Sequence, residues 1–220
     1  MRLSILPALG LLSLFPLFGC QQSGLRGEGP IAAEERALGS FDRVELSGGF
    51  DVHLVVGEGS TINVQTNANL LPELRTEVVD GVLEIGWRRS VTNVGMPQLE
   101  IHTASLMGIE VSGAADLKVE GVDSDAFALH VSGSCHAEIR GRADDLQVAV
   151  SGVGEVDMSN LEARTVAVSI SGSSHLSVAA SETLDVSISG VGRLDYGGSP
   201  QVRSEISGSG TIVHASNEDW

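Results

Sequence analysis

One short phrase recurs through the second half of the chain: an apolar residue, Ser-Gly, then a run in which apolar and polar residues alternate. The pairs are Ser112-Gly113, Ser132-Gly133, Ser151-Gly152, Ser171-Gly172, Ser189-Gly190 and Ser207-Gly208, spaced 20, 19, 20, 18 and 18 residues apart. Self-similarity at one period marks a repeat architecture, in which each unit buries its apolar face only against its neighbours. That limits the fold far more than it limits the chemistry.

Each repeat reads as two strands meeting at the Ser-Gly corner. Five, three and one residues before the Ser stand Met107/Ile109/Val111, Phe127/Leu129/Val131, Leu146/Val148/Val150, Val166/Val168/Ile170, Leu184/Val186/Ile188 and Val202/Ser204/Ile206. All but Ser204 are apolar, and the residues between them are mostly polar or small, which is the period of a strand with one buried face. Five and seven residues after the Ser the pattern returns, as Leu117/Val119, Ala137/Ile139, Val156/Met158, Leu176/Val178, Leu194/Tyr196 and Ile212/His214.

Two ways of pairing these strands remain open. A hairpin with a two-residue Ser-Gly loop would set apolar position −3 against position +4, which is Asp116, His136, Glu155, His175, Arg193 and Thr211. Cross-strand neighbours share a face, so that register fails. A three-residue loop passes the same test, so an antiparallel meander stands as the alternative. In a parallel β-helix each period is one coil, and equivalent positions stack about 4.8 Å apart. That arrangement sets Lys118 beside Glu138 and Glu120 beside Arg140, and no two carboxylates adjoin in the +4 column. The expectation is an all-β, single-stranded, right-handed parallel β-helix, since parallel crossovers are nearly always right-handed. Gly at the corner is expected to supply backbone freedom and Ser to bond locally within the turn. Short spans at Gly121-Val122-Asp123 and Asn160-Leu161-Glu162 would make a third side.

Composition excludes some partners. The net charge is −16 and Lys118 is the single lysine, so no basic patch exists to displace counterions from phosphates, and nucleic-acid binding is not expected. With aromatics at 4%, stacked Val, Ile and Leu must make the core.

Residues 1–19 read as a targeting segment, with Met1-Arg2 followed by an apolar run to Phe18 that is short for a membrane span. Leu17-Phe18-Gly19-Cys20 resembles a bacterial lipobox, which implies cleavage before Cys20, lipidation of Cys20 and attachment to the membrane through the acyl chains. Gln21, where retained lipoproteins tend to carry Asp, implies by the same resemblance the outer membrane, with its face undetermined. Residues 20–38 are expected as the lipidated Cys and a flexible tether, with at most a short helical turn at Glu34-Glu35-Arg36. The head is expected over 39–216. Residues 39–97 would be less regular coils and a cap, 98–214 would carry the Ser-Gly repeats, and 217–220 would form a tail. In the cap, Asp80-Gly81 predicts a hairpin between strands 74–79 and 82–87.

Three stretches carry a family resemblance. Phe41-Asp-Arg-Val-Glu-Leu-Ser-Gly-Gly-Phe-Asp-Val-His-Leu resembles the opening of the putative auto-transporter adhesin, head GIN domain family. Glu77-Val-Val-Asp-Gly-Val-Leu-Glu-Ile and the run from Ile188 through Ile206-Ser-Gly-Ser-Gly resemble its later parts. The resemblance spans about 39–214. It implies a pectin-lyase-like right-handed β-helix on a bacterial envelope protein acting in adhesion, with no catalytic residues to carry over. Ser-Gly-Ser and Ser-Gly-Val stand here where members carry Gly-Ile-Asn.

No catalytic constellation or cofactor is expected. Asp116, His136, Glu155 and His175 are metal-ligand residue types in one column. His136 and His175 lie two rungs apart, about 9–10 Å, beyond the reach of one ion held at about 2 Å from each ligand. A solvated polar ladder is the expectation, and no metal site. Gly190-Val-Gly-Arg-Leu-Asp195 resembles a calcium-binding nonapeptide, but this chain repeats at twice that length. Cys135 sits where neighbouring repeats carry Ala115, Gly154, Ser174, Gly192 and Gly210, and reads as a small packing residue. The expected function is an envelope-anchored, non-catalytic binding or adhesion module presenting a polar face to a glycan or envelope protein. The alternatives are a carbohydrate-active lyase or hydrolase, with Glu138 and Asp157 at glycosidase-like spacing, and a structural envelope protein without a ligand.

Overall fold

A computed structural model describes residues 24–92 and 94–215. Cys20, the targeting segment and the 217–220 tail lie outside the described residues. The strands in chain order are β1 (Leu25–Arg26), β2 (Ile31–Ala37), β3 (Arg43–Ser47), β4 (Gly49–Val56), β5 (Ser60–Asn67), β6 (Leu74–Val79), β7 (Val82–Trp87), β8 (Val91–Thr92), β9 (Gln98–Thr103) and β10 (Gly108–Val111). Four long, bent strands follow: β11 (Ala114–Val131), β12 (Ser134–Val150), β13 (Val153–Ile170) and β14 (Ser173–Ile188). Three short ones close the chain: β15 (Val191–Gly198), β16 (Gln201–Ile206) and β17 (Ser209–His214).

The repeats pair in parallel, each with the next. β11 pairs β12, β12 pairs β13 and β13 pairs β14 in parallel, so the fold is the β-helix and the antiparallel meander is excluded. The register is the expected stacking: Leu129, Val148, Val168 and Val186 form one inward column, and Leu117, Ala137, Val156, Leu176 and Leu194 another, all buried. Each coil has a first side before Ser-Gly, a second side after it, and a short third side. Val122, Leu161, Ala143, Ala163 and Ala180 fill the third side with small or medium groups. Differences in repeat length are absorbed at its corners, where the register shifts after Val119, Glu138 and Met158. Gly121 and Gly141 take positive φ there, at 81° and 142°.

The Ser-Gly corners use their residues differently from expectation. None of these glycines has positive φ. They stack directly on one another: a Cβ on Gly133 would lie 1.8 Å from the Gly113 carbonyl oxygen, and one on Gly152 would lie 1.8 Å from that of Gly133. Glycine is required because backbones approach closely, not because the chain turns left-handed. The Ser hydroxyls also look outward from their own turn. Ser112 donates to the Leu46 carbonyl at 3.2 Å and Ser132 to that of Val111 at 3.4 Å, each in the neighbouring coil.

Two further differences lie at the N-terminal end. The span expected as a tether contains β2, which runs antiparallel to β5 and takes no helical turn. Arg36 fastens it: Nη1 donates to the Leu74 carbonyl (2.8 Å) and Thr76 Oγ1 (2.9 Å), and Nη2 donates to the Leu71 carbonyl (2.7 Å). Charge on β2 disguised this strand, because alternate side chains face solvent while Ala32 packs on the core. The coils are also not in chain order. The coil of β3 and β4 sits between that of β7 and β9 and that of β10 and β11. Antiparallel β5 and β6 lie beyond β9 and β7, and β2 covers β5, so the cap ends in antiparallel strands. The Asp80-Gly81 hairpin forms as predicted, with φ of 50° and 80°.

Candidate binding surface

The first and second sides of the coils each present an outward ladder with a groove. On the second side the register brings Asp51, Asp116, His136, Glu155, His175 and Arg193 into one column. The four candidate residues thus do stand together, as a row of adjacent rungs. His136 Nδ1 lies 3.7 Å from Glu155 Oε2. With Met96 and the small residues Ala115, Cys135 and Gly154 beneath, they line a shallow depression of about 710 Å³. Among the described residues no three His, Cys, Asp or Glu side chains converge as a metal site.

The column's last members behave differently, and sequence reasoning missed why. Asp195 stands two positions further on, in the next outward column, and binds back. Its Oδ2 lies 2.6 Å from His175 Nε2 and accepts from Arg193 Nε at 2.9 Å, and Arg193 Nη2 lies 2.7 Å from Oδ1. Partial burial raises the cost of ionising this carboxyl. The hydrogen bonds from Arg193 and His175 outweigh that and hold it below the usual carboxylate range. The visible signal was an Arg and an Asp two apart on a strand, which share a face. One column over, Lys118 faces Glu138 as expected, and Glu138 faces Asp157. Arg140 holds the Glu138 carboxylate, and Asp157 accepts from the Ser159 amide at 2.9 Å. Glu120 is drawn down chiefly by its hydrogen bond from Lys118, with Arg140 contributing at longer range.

The first side carries a second groove, of about 500 Å³, that no motif announced. Ala149, Ala167, Ser169 and Ser187 form its floor, and Gln147, Asp185 and Arg203 stand among them. The signal available was the run of small residues at outward positions. Cys135 is buried, and desolvation first, then nearby Asp116, pushes its thiol up to about 12. It is a packing residue.

No curated protein matches the chain significantly. Solved structures do. A putative adhesin from Bacteroides fragilis superposes with a TM-score of 0.72 at 21% identity, covering 86% of this chain and 99% of its own. A putative adhesin from Parabacteroides merdae gives 0.62 at 17% identity, covering 88% and 99%. A protein from Parabacteroides distasonis described as a putative lipid binding protein gives 0.51 at 21% identity, covering 87% and 99%. At these identities the likeness is one of fold. The model of the putative auto-transporter adhesin, head GIN domain family matches residues 40–200, and the chain belongs to that family.

Proposed function

We propose that this protein is an envelope-anchored, non-catalytic binding module of the adhesion type. Lipid on Cys20 would hold it to the outer membrane and the second-side ladder would engage a glycan or an envelope protein. The observation that carries this reading is the form of the candidate surface. Polar side chains stand on adjacent rungs over a rigid stack, and the depressions they line are shallow. Stacked coils fix the spacing of such groups at about 4.8 Å, which suits recognition of an extended partner. Family membership supports a binding role, as do the adhesin descriptions of the Bacteroides and Parabacteroides structures. The acids most suited to glycoside cleavage, Glu138 and Asp157, are engaged by Arg140 and the Ser159 amide, which weighs against the enzyme alternative.

The test is a glycan-array and calorimetric screen with the purified protein, scoring cleavage in the same samples. Binding without turnover, weakened by His136→Ala and Glu155→Ala, is the expected result. Turnover of any bound glycan would overturn the non-catalytic reading. Labelling cells with a fatty-acid analogue tests the anchor: label should be lost in Cys20→Ala.

A further inference from the structure

The two ends of the solenoid are finished differently. At the N-terminal end, antiparallel β2, β5 and β6 close the stack. At the other end β16 pairs β14 on one side, and among the described residues its second edge pairs with nothing. Every residue of β16 is exposed, including Val202 at 40% and Ile206 at 43%, whereas the equivalent positions of the preceding coil, Leu184 and Ile188, are fully buried. An open, apolar strand edge is a template for another strand.

The sequence of β16 says which strand. Gln201-Val-Arg-Ser-Glu-Ile206 is self-complementary about Ser204. If two copies pair antiparallel with a two-fold axis at Ser204, outward Arg203 of each faces outward Glu205 of the other. Inward Val202 faces inward Ile206, and the two serines meet at the axis. Faces match throughout, so each core continues into the next. The backbone agrees. The Ser207 amide donates to the Ile188 carbonyl, toward β14. By alternation Glu205 and Arg203 also point toward β14, leaving the amides and carbonyls of Val202, Ser204 and Ile206 on the open edge. Those are the residues that would exchange paired bonds in this antiparallel register. The other open strand offers no such match: centring β17 on Ile212 would set inward Gly210 against inward His214. Ser204, the one polar residue among the eighteen inward positions before the corners, therefore sits at the axis.

We propose that the protein associates tail to tail with a second copy of itself, through antiparallel pairing of β16 about Ser204. The partner is committed by charge complementarity, since Arg203 and Glu205 recur on both copies as two crossed ion pairs. A two-fold, isologous contact of this kind closes on itself and yields a dimer, not a fibre. It places the two capped ends at opposite extremes of one continuous stack. Taken with the anchor proposed above, on which this one consequence rests, two opposed surfaces would be linked by identical proteins.

Sedimentation of the full-length protein in density-matched detergent, at physiological salt, tests this without reference to any glycan or lipid. The wild type should reach a dimer with rising concentration. Arg203→Glu and Glu205→Arg each replace two attractive contacts by two repulsive ones and should raise the dissociation constant at least about tenfold. The double exchange, Arg203→Glu with Glu205→Arg, restores both pairs and should restore the dimer. Ser204→Pro should abolish it while leaving the β14 ladder intact, because the lost amide faces the open edge. A wild type that stays monomeric up to about 100 μM overturns the proposal. So does a dimer indifferent to the single reversals.

Discussion

The stacked glycine column makes a sharp energetic prediction at Gly152. Alanine there would set Cβ 1.8 Å from the Gly133 carbonyl oxygen and 2.9 Å from that of Ser132, both backbone atoms that cannot swing aside. Relief requires the two coils to part by roughly 1 Å at the corner, enough to break a hydrogen bond. The bonds at risk are the Ser151 amide to the Val131 carbonyl (2.8 Å) and the Val153 amide to the Gly133 carbonyl (2.9 Å). Each contributes about 1 kcal/mol, and overpacking adds about 1–3 kcal/mol. Alanine also restricts the unfolded chain, offsetting about 0.4–1 kcal/mol. The net loss is roughly 3–4 kcal/mol, or on the order of 10 °C in melting temperature for a chain of this size. Gly57→Ala is the control: its Cβ would meet nothing within 4 Å and its φ is not left-handed, so stability should hold or rise slightly. Urea and thermal unfolding followed by circular dichroism would measure both. If Gly152→Ala unfolds within about 1 kcal/mol of wild type, or moves with Gly57→Ala, the close-approach reasoning is wrong.

Arg36→Ala should loosen β2 on the cap, because the Leu74 carbonyl loses its guanidinium donor and the Leu71 carbonyl keeps only the Leu74 amide. A loss of roughly 2–3 kcal/mol and faster proteolysis within residues 25–38 are expected. The Asp195 carboxyl is depressed in the folded protein, so its stabilisation is complete above the unfolded value near 4 and lost as pH falls through the folded one. The urea midpoint should fall in acid, and Asp195→Asn should flatten that fall. Cys135, with its thiol pushed up to about 12, should resist alkylation at pH 8 by roughly a thousandfold relative to an unhindered thiol. Denaturant should restore the reaction, and rapid labelling of the native protein would contradict the burial.

Most of the solenoid was legible because strand period is a local property. Alternation at Phe127, Leu129 and Val131, or at Leu184, Val186 and Ile188, can only mean one buried face, and the recurring Ser-Gly fixed where each coil bends. The same logic read the Asp80-Gly81 hairpin, where two positive φ angles need those residue types. It also placed Asp116, His136, Glu155 and His175 in one column, because a constant register follows from a constant corner.

What the sequence could not decide was which strand pairs with which when no period links them. The inserted position of the β3–β4 coil, and the recruitment of β2 to the cap, depend on contacts between segments far apart in the chain. β2 looked like a tether because a strand on the outer edge of a cap needs few apolar residues. Its hold comes from the antiparallel ladder to β5 and from Arg36 reaching the Leu71 and Leu74 carbonyls, which no local pattern encodes. The corner glycines make the same point in reverse. The sequence placed them, but only stacking revealed that the carbonyl of the next coil, not a left-handed turn, excludes a side chain there. Periodicity is written residue by residue, whereas close approach and strand order arise only when distant parts of the chain meet.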